Sequence, residues 1–267
     1  MLREEREAEI TRLLASAKAG VLRVGQLAAM LGVSEMTVRR DLASLEERGL
    51  VHRIHGGAMH LSHALLLEKS FSDRGRERMA QKMAIGRVAA TYVHDGDVII
   101  LDAGTTTLQV ARHISAQALT AVTNALPVAT ELAGQKGVSA ILLGGNLKGP
   151  ELCTVGPITT NSLSQMAADT LFLSAAGFSL ERGLTDPDLR EAEVKRAMIR
   201  AARRVVLVCD SSKFQSVAFA QITSLQDVHA FVTDTGLPPS GREAIGAMGL
   251  ELIVAAPAER MPNSSRA

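Results

Sequence analysis

The stretch VSEMTVRRDLASLEERGLVHRIHGGA, residues 33–58, decides the first part of the fold. Ser34 is a predicted N-cap, because its hydroxyl can accept a free backbone N–H from the first turn of a helix over 35–48. Apolar side chains recur on one face of this helix, which is the pattern of an amphipathic helix. That face carries Val38, Leu42 and Leu45.

The residues on either side complete a small helical domain with a wing. Upstream, periodic apolar residues predict helices over 4–19 and 24–31, and Gly32 ends the second helix as glycine often does. Downstream, we predict a strand over 50–54 and a tight turn at 55–57. Two helices, a short turn, a third helix and a wing form a winged helix-turn-helix, whose third helix can enter the DNA major groove.

Polar and basic side chains on the third helix and the wing are candidate DNA contacts. Thr37, Arg39 and Arg40 would meet bases and phosphates, and the wing would meet the DNA backbone or the minor groove. The alternative is a three-helix bundle with a solvated charged face. The short turn and the paired arginines favour DNA binding. The predicted DNA-binding residues are Ser34, Glu35, Met36, Thr37, Arg39, Arg40, Arg53 and His55.

A connector separates this domain, residues 1–58, from the rest of the chain. Residues 59–78 have mixed polarity and no sustained period, so we predict a linker there. Four of the seven histidines lie between His52 and His63. We predict no metal site, because no cysteine or close carboxylate joins them and their spacing fits no tetrahedral set. A tail over 257–267 is predicted to be disordered.

Helical and strand patterns alternate over residues 79–256. This alternation predicts an α/β domain with a mostly parallel sheet. The predicted helices cover 79–93, 105–114, 125–134, 158–166, 188–202 and 242–248. The predicted strands cover 98–101, 119–123, 138–143, 170–176, 205–209, 228–232 and 250–254.

Glycine and small polar residues follow five of these strands. Ligands of α/β sheets bind beyond the carboxyl ends of the strands, so these ends predict a pocket. At the first end, Gly104 and three threonines open a helix, and the free amides and hydroxyls of such a terminus can cradle a phosphate. The alternative is simple helix capping by threonine. The chain has neither a Walker lysine here nor a G-x-G-x-x-G motif, so we predict no nucleotide cofactor.

Charged residues near the other strand ends suit the same ligand. Lys148, Lys195 and Lys213 can neutralise phosphate, while Glu191 and Asp210 can accept hydrogen bonds from sugar hydroxyls. The alternatives are a surface helix pair between Glu191 and Lys195, and a structural ion pair between Asp210 and Lys213.

The chain resembles the DeoR family of bacterial transcriptional regulators over about residues 1–254. Residues 33–58 match that family's DNA-binding signature. Five further motifs are similar to its effector domain: LDAGTTT (101–107), TN (123–124), LLGG (142–145), EAEVKRAM (191–198) and DSSKF (210–214). Two departures are small, because Ala103 stands where serine is frequent and Lys148 where arginine is frequent.

The resemblance implies a large domain similar in fold to ribose-5-phosphate isomerases and CoA transferases. It also implies that the effector is a phosphorylated sugar or sugar derivative, with residues 104–107 on the phosphate and the other residues around the sugar. The predicted effector-binding residues are Asp102, Gly104, Thr105, Thr106, Thr107, Asn124, Gly144, Gly145, Lys148, Gly177, Glu191, Lys195, Asp210 and Lys213.

Composition narrows the class of protein. The 29 basic and 28 acidic residues give a net charge of +1, which excludes a polybasic tail protein but allows a local basic face. Two cysteines, Cys153 and Cys209, are too few for a disulfide framework. No signal-peptide pattern opens the chain and no apolar run approaches about 20 residues, so we expect a cytoplasmic protein.

These features predict a DNA-binding regulator, usually a repressor in this family, whose operator binding responds to a sugar phosphate. Few phosphate contacts per head predict weak binding by one copy and therefore a homo-oligomer, either a dimer or a tetramer. The alternative is a sugar-phosphate isomerase with a DNA-binding appendage, using Asp102, Glu191 or Asp210 as a base beside Lys195 or Lys213. A third possibility is a scaffold without a ligand.

Overall fold

The computed structural model gives the placement of most of the chain. The residues it describes are 3–17, 21–48, 50–54, 56–60 and 71–256. Residues 61–70 of the predicted linker, the predicted tail and His55 lie outside them. Within the described ranges, every helix is too short or too polar to span a lipid bilayer.

The N-terminal domain, here called the head, contains three helices and a three-stranded antiparallel sheet with the order β1-β3-β2. Its sheet includes a strand that the sequence pattern did not predict, because β1 is only three residues long and forms by pairing with distant β3. The elements are α1 (Arg3–Ser16), β1 (Val21–Arg23), α2 (Val24–Leu31), α3 (Glu35–Glu47), β2 (Val51–Ile54) and β3 (Gly57–His60).

The head folds around the predicted face of α3. Val38, Leu42 and Leu45 are buried against α1 and α2, which confirms that face. The N-cap is also confirmed, since the Ser34 hydroxyl accepts a hydrogen bond from the Thr37 backbone N–H at 3.2 Å. A buried ion pair joins α1 to α3: Arg6 donates to both carboxylate oxygens of Asp41, at 2.6 and 3.1 Å.

The larger domain is built on a seven-stranded parallel sheet with the order β15-β14-β12-β9-β4-β5-β6. This confirms the predicted α/β class. The sheet strands are β4 (Val98–Leu101), β5 (Leu119–Thr123), β6 (Val138–Leu142), β9 (Ala168–Leu173), β12 (Ala202–Val208), β14 (Ala230–Asp234) and β15 (Glu251–Ala255).

Helices cover both faces of this sheet, because successive strand residues point to opposite faces and both sets are apolar. Side chains of α5, α6 and α7 pack on one face with α4 beside them, and those of α8, α9 and α10 pack on the other. These helices are α4 (Phe71–Arg76), α5 (Met79–Ala90), α6 (Thr105–His113), α7 (Leu126–Ala133), α8 (Pro157–Leu163), α9 (Leu189–Ala201) and α10 (Pro239–Ala247).

Short antiparallel strands decorate the carboxyl end of the sheet, and the sequence pattern missed them. They form a β7–β8 hairpin and a β10-β11-β13 sheet. Segments of three or four residues are too short to show an alternating pattern. Their bounds are β7 (Asn146–Lys148), β8 (Cys153–Val155), β10 (Gly177–Ser179), β11 (Gly183–Asp186) and β13 (Ala220–Thr223).

The predicted helices and strands of the larger domain are present. Some begin or end at other residues than predicted, because tertiary contacts set their ends. The strand predicted to reach residue 176 ends at Leu173, because the Ser174 backbone N–H and hydroxyl both donate to Asp102. The strand predicted from 205 begins at Ala202, which pairs with Ala168 of β9. The last helix begins at Pro239 rather than 242, since proline suits the first helical turn.

The α5–α6 crossing offers a test of the packing. A Cβ added at Gly86 would lie 2.5 Å from the carbonyl carbon of Gln109. Alanine usually stabilises a helix interior relative to glycine by about 1 kcal/mol. Here we expect Gly86→Ala to lower the free energy of unfolding by about 1–3 kcal/mol, because it forces the two helices apart. Urea denaturation measures the change.

Gly134→Ala is the matched control, because the nearest atom to its new Cβ is 3.6 Å away. It should change the free energy of unfolding by less than about 0.5 kcal/mol, as a substitution without a steric clash does. Equal effects of the two substitutions would contradict the close crossing.

Candidate functional site

A cavity of about 420 Å³ lies at the carboxyl end of the sheet. Residues that follow β4, β9 and β12, three neighbouring central strands, line it. This is the position at which open α/β sheets bind ligands, and the volume lies within the usual range for small-molecule sites. The predicted residues that line the cavity are Gly104, Thr105, Thr106, Glu191, Lys195, Asp210 and Lys213.

A buried ion pair lies at the floor of the cavity, where Lys195 of α9 lines the cavity and Asp102, directly after β4, lies behind it. Lys195 Nζ lies 2.5 Å from Asp102 Oδ2, and both side chains are at least 97% buried. Ser174 donates to the same oxygen from its backbone N–H and its hydroxyl. Burial alone would lower the pKa of Lys195, but Asp102, Asp186 and Glu191 raise it above its usual value. The floor therefore presents a permanently charged ammonium group.

One wall of the cavity is acidic. Burial raises the pKa of Asp186 to about 7, and the negative charge of Glu191 adds to this effect. Lys148 does not line the cavity, but it bonds to Glu191 and lies 2.9 Å from Asp188. Lys148 thus holds the Glu191 carboxylate in place from outside the cavity.

The opposite wall is basic, and it contains residues that sequence reasoning missed. Lys82 of α5 and Arg78 face the cavity together with Lys213. Burial lowers the pKa of Lys82 to about 8, and its Nζ lies 2.5 Å from the Arg74 carbonyl oxygen. The only sequence signal was the run Arg74, Arg76 and Arg78, which lies in the predicted linker.

Arg74 contributes a further cationic group to the cavity, close to Glu191 and Asp186. Its guanidinium pairs with Glu151, and burial lowers its pKa. Within the described part of the chain, the Arg74 Nε is buried and has no hydrogen-bond partner. An unpaired buried donor costs free energy, so a ligand that accepts from it would gain affinity.

The helix α6 points its N-terminus into the cavity. Thr105 and Thr106 line the cavity, whereas Thr107 turns inward and donates from its hydroxyl to the Gly104 carbonyl oxygen at 2.8 Å. A Cβ at Gly104 would lie 2.8 Å from the Ser174 hydroxyl oxygen, so only glycine fits between α6 and β9 without movement. Gly104 is the N-cap and no described side chain caps this helix, so capping by threonine is not what the structure shows. The phosphate cradle stays a prediction.

Several predicted residues lie near the cavity without lining it. The β7–β8 hairpin covers the end of β5, where Asn124 donates to the Thr154 carbonyl oxygen at 2.9 Å. Beyond β6, Thr159 of α8 donates to the Gly144 carbonyl oxygen at 2.7 Å. The sequence pattern cannot show this cover, because it forms only in three dimensions. Predicted residues that do not line the cavity are Asp102, Thr107, Asn124, Gly144, Gly145, Lys148 and Gly177.

The α3 surface of the head presents most of the predicted DNA contacts to solvent. Met36 is 67% exposed and Arg40 is also exposed. Arg39 pairs with Glu35 at 2.7 Å. Thr37 is half-buried, and its hydroxyl oxygen lies 2.9 Å from that of Ser34.

The wing lies beside the end of α3. On the wing, the Arg53 backbone N–H donates to Glu46, and its guanidinium lies 3.8 Å from the same carboxylate. The predicted contact at His55 falls outside the described residues.

The head also contacts the larger domain at the cavity. Val21 of β1 and Met59 of β3 line the cavity beside the residues of the sheet. Nearby, the Arg23 guanidinium carbon lies 5.9 Å from the centroid of the Phe219 ring, which is the distance of a cation–π contact. The head therefore forms part of the wall of the cavity.

Comparison with known proteins identifies both parts of the chain. Residues 6–64 match the DeoR-like helix-turn-helix domain, and residues 77–235 match the DeoR C-terminal sensor domain. The chain belongs to the DeoR family of transcriptional regulators. The larger domain is accordingly a sensor domain, which confirms the resemblance seen in the sequence.

Relatives of this DeoR-family regulator align over almost its whole length. An uncharacterised HTH-type transcriptional regulator of Bacillus subtilis, YulB, is 36% identical over 92% of this chain and 94% of its own. A putative aga operon transcriptional repressor of Escherichia coli O157:H7 is 34% identical over 94% and 93%. Among solved structures, a ribose 5-phosphate isomerase from Methanocaldococcus jannaschii is 14% identical with a TM-score of 0.36, covering 50% of this chain and 53% of its own.

The ion pair on the cavity floor is expected to dominate the stability of the sensor domain. Asp102→Asn keeps the hydrogen bonds from Ser174 but leaves the Lys195 ammonium buried without its main partner. We expect a loss of about 3–5 kcal/mol in the free energy of unfolding, measured by urea denaturation.

A surface pair provides the control. Glu131→Gln removes the partner of Arg112, whose Nε lies 3.0 Å from the carboxylate on an exposed part of the surface. This change should cost less than about 1 kcal/mol. If Asp102→Asn costs no more than the control, the pair does not hold the floor of the cavity.

Proposed function

We propose that this DeoR-family protein is a repressor whose binding to operator DNA is modulated by a phosphorylated sugar or sugar derivative. The observation that carries the proposal is a cavity lined by both basic and acidic side chains, to which the DNA-binding head contributes Val21 and Met59. A repressor of this kind acts where the operator is, in the cytoplasm. The gene it controls would belong to carbohydrate metabolism.

In this proposal the phosphate lies between the N-terminus of α6 and the basic wall. The backbone amides of Thr105 and Thr106 lie at the positive end of the helix dipole, where anions are stabilised. Lys82 and Lys213 add formal charge from the opposite side. The free Nε of Arg74 offers a further donor.

The sugar hydroxyls would face the acidic wall. Asp186 and Glu191 supply carboxylate oxygens that accept hydrogen bonds, and Asp210, whose carboxylate lies 3.7 Å from the Arg78 guanidinium, also lines the cavity. Asp102 would orient Lys195 from below. The covered residues Asn124, Gly144, Gly145, Lys148 and Gly177 would hold the shape of the site rather than touch the ligand.

We propose that the site binds its ligand without converting it. A general base needs a carboxylate that is available to take a proton. Of the three candidate bases, Asp102 is engaged by Lys195 and Ser174, and Glu191 by Lys148. Asp210 accepts a hydrogen bond from the Ser212 backbone N–H and lies 3.7 Å from the Arg78 guanidinium. The named relatives are transcriptional regulators, which supports binding over catalysis.

The DNA contacts are proposed to come from α3 and the wing. Arg40 would reach base edges or phosphates in the major groove, with Thr37 and Arg39 beside it. Ser34, Glu35 and Met36 lie at the exposed start of the helix, where base contacts of this motif usually arise. The wing residues Arg53 and His55 would contact the backbone or the minor groove.

The contact between the head and the cavity supplies a route for coupling. A ligand that enters the cavity meets Val21 and Met59, so it stabilises or destabilises the docked position of the head. A ligand shifts an equilibrium between two arrangements when it binds one of them better. Two heads are needed for the two half-sites of an operator, so we propose that the protein acts as a homo-oligomer.

The sensor proposal predicts a response of DNA binding to sugar phosphates. Titration of the full chain with DNA from around its own gene, in a mobility-shift assay, measures operator affinity. With a panel of pentose and hexose phosphates, we expect at least one compound to change that affinity by about fivefold or more. No change with any compound would refute the sensor function while leaving DNA binding intact.

Two variants separate the tasks of the two domains. Arg40→Ala should weaken operator binding by roughly tenfold or more and leave sugar-phosphate binding unchanged. Thr106→Val keeps the side-chain shape but removes a hydroxyl, so it should weaken the ligand response and leave operator binding unchanged. Calorimetry measures ligand binding, and thermal melting confirms folding. Loss of both activities in a folded variant would contradict this division of labour.

The basic wall predicts a pH dependence of ligand binding. A bound anion stabilises the protonated form of Lys82, so binding takes up a proton when this lysine is neutral. Because the pKa of Lys82 is about 8, affinity should be highest below that pH and fall as pH rises through it. A phosphomonoester has its second pKa near 6 and stays dianionic over this range. Calorimetry between pH 7 and pH 9 tests the fall.

Lys82→Gln should remove the fall in affinity, whereas Lys136→Gln, a change on an exposed lysine outside the cavity, should retain it. A wild-type affinity that stays constant over this pH range would place the anion away from Lys82.

A further inference from the structure

The two edges of the central sheet differ in their protection. At one edge, β15 carries Glu251, which pairs with Arg204 at 2.8 Å and accepts a hydrogen bond from Tyr92 at 2.8 Å. Charges of this kind keep an edge strand from pairing with another chain. At the other edge, β6 pairs only with β5 within the described structure, and its sequence Val-Ser-Ala-Ile-Leu contains no charged residue. The β15 edge therefore carries a charged residue that opposes pairing with another chain, whereas the β6 edge, here called the open edge, carries none.

Large apolar side chains are exposed around the open edge. Ile141 and Leu142 at the end of β6 are 39% and 43% exposed, and Leu147 and Ile158 are 57% and 63% exposed. The turn at Gly144 joins them, since a Cβ there would lie 3.7 Å from Ile158. A monomer gains nothing from such a cluster, which is typical of protein–protein contact surfaces.

Charge is sparse along the segment that contains this edge, although the exposed Lys136 lies two residues before β6. Between Lys136 and Asp169 the sequence contains only two charged residues, Lys148 and Glu151. Lys148 points inward to Glu191 and Asp188, and Glu151 pairs with Arg74. Two copies of this face would therefore meet without repulsion, and depletion of charge is characteristic of interface cores.

We propose that β6 and the apolar residues beside it, Leu147 and Ile158, form the surface on which a second copy of this chain docks. An edge strand offers unpaired N–H and C=O groups, and the same strand of a second copy supplies matching ones. Around a two-fold axis the two β6 strands run antiparallel, so each residue contacts its counterpart reciprocally. The inference rests on the proposed function, because an operator with two half-sites requires two heads.

The simplest register places the two-fold axis at Ala140, the middle residue of β6. Opposed residues of an antiparallel pair have Cα atoms about 4.5 or 5.5 Å apart, and both distances suit a disulfide. The native cysteines do not interfere: Cys153 and Cys209 are buried, and burial raises the pKa of each thiol to about 12. Ala140→Cys therefore introduces a single reactive thiol at the axis.

Mild oxidation of the full-length chain tests this arrangement directly. We expect Ala140→Cys to form a covalent dimer on a non-reducing gel. The matched control is Ala247→Cys, on an exposed part of α10 away from this edge, which should stay uncrosslinked. The proposed β6 surface would be wrong if the chain sediments as a dimer but Ala140→Cys crosslinks no more than the control.

A second variant tests the apolar contact without crosslinking. Ile158→Glu places a charge on the patch of each copy, so sedimentation equilibrium should show the dimer dissociation constant rise by roughly 100-fold. Met248→Glu, a change of an equally apolar side chain that is 40% exposed elsewhere, should change it less than about twofold. An unchanged constant for Ile158→Glu, or a wild-type chain that stays monomeric, would overturn the proposal.

Ligand binding distinguishes this failure from failure of the proposed function. The rise in melting temperature that the active sugar phosphate causes, and its affinity measured by calorimetry, should be the same for Ile158→Glu and the wild type, because the cavity is formed by one copy. A monomeric variant that keeps ligand binding but loses tight operator binding supports the inference. A wild-type dimer whose operator affinity ignores every sugar phosphate refutes the sensor function and leaves the β6 surface standing.

Discussion

The buried pair between Asp102 and Lys195 is the interaction on which the sensor domain depends. Asp102 follows the central strand β4, Lys195 lies on α9, and Ser174 of the neighbouring strand end donates to the same carboxylate. One carboxylate oxygen therefore joins two strands and a helix. A charge in this position is tolerated only with its partner, because an unpaired buried ion is costly. The pair sets the depth of the cavity and places a positive charge at its base.

The net charge of +1 conceals a strong sorting of charges. In the cavity, Lys82 and Lys213 face Asp186 and Glu191, which suits a ligand with an anionic end and a hydroxyl-bearing end. On the head, Arg40 is exposed on α3. The β6 strand itself contains no charged residue. Each of these surfaces suits a different partner. Their local charges differ, and only the total over the whole chain is close to zero.

The sequence predicted the head more completely than the ligand site. Val38, Leu42 and Leu45 lie within two turns of one helix, so their common face follows from helical periodicity alone. Gly104 and Thr106 were also found, because they follow a strand directly. Lys82 was missed, since it lies on a helix whose face toward the cavity is set by packing on the sheet. Asn124 was placed on the cavity because a sequence cannot show the hairpin that covers its strand end.

The sequence by itself determined the two domains, the α/β alternation and the family, because these rest on local patterns and contiguous motifs. Only the tertiary structure decided which strand ends share a cavity, since the strand order places β4, β9 and β12 together and sends β5 and β6 toward the edge. It also brought Val21 and Met59 of the head to the ligand cavity, and it exposed the uncharged edge. These contacts join residues that are far apart in the chain, so no local periodicity of the sequence can predict them.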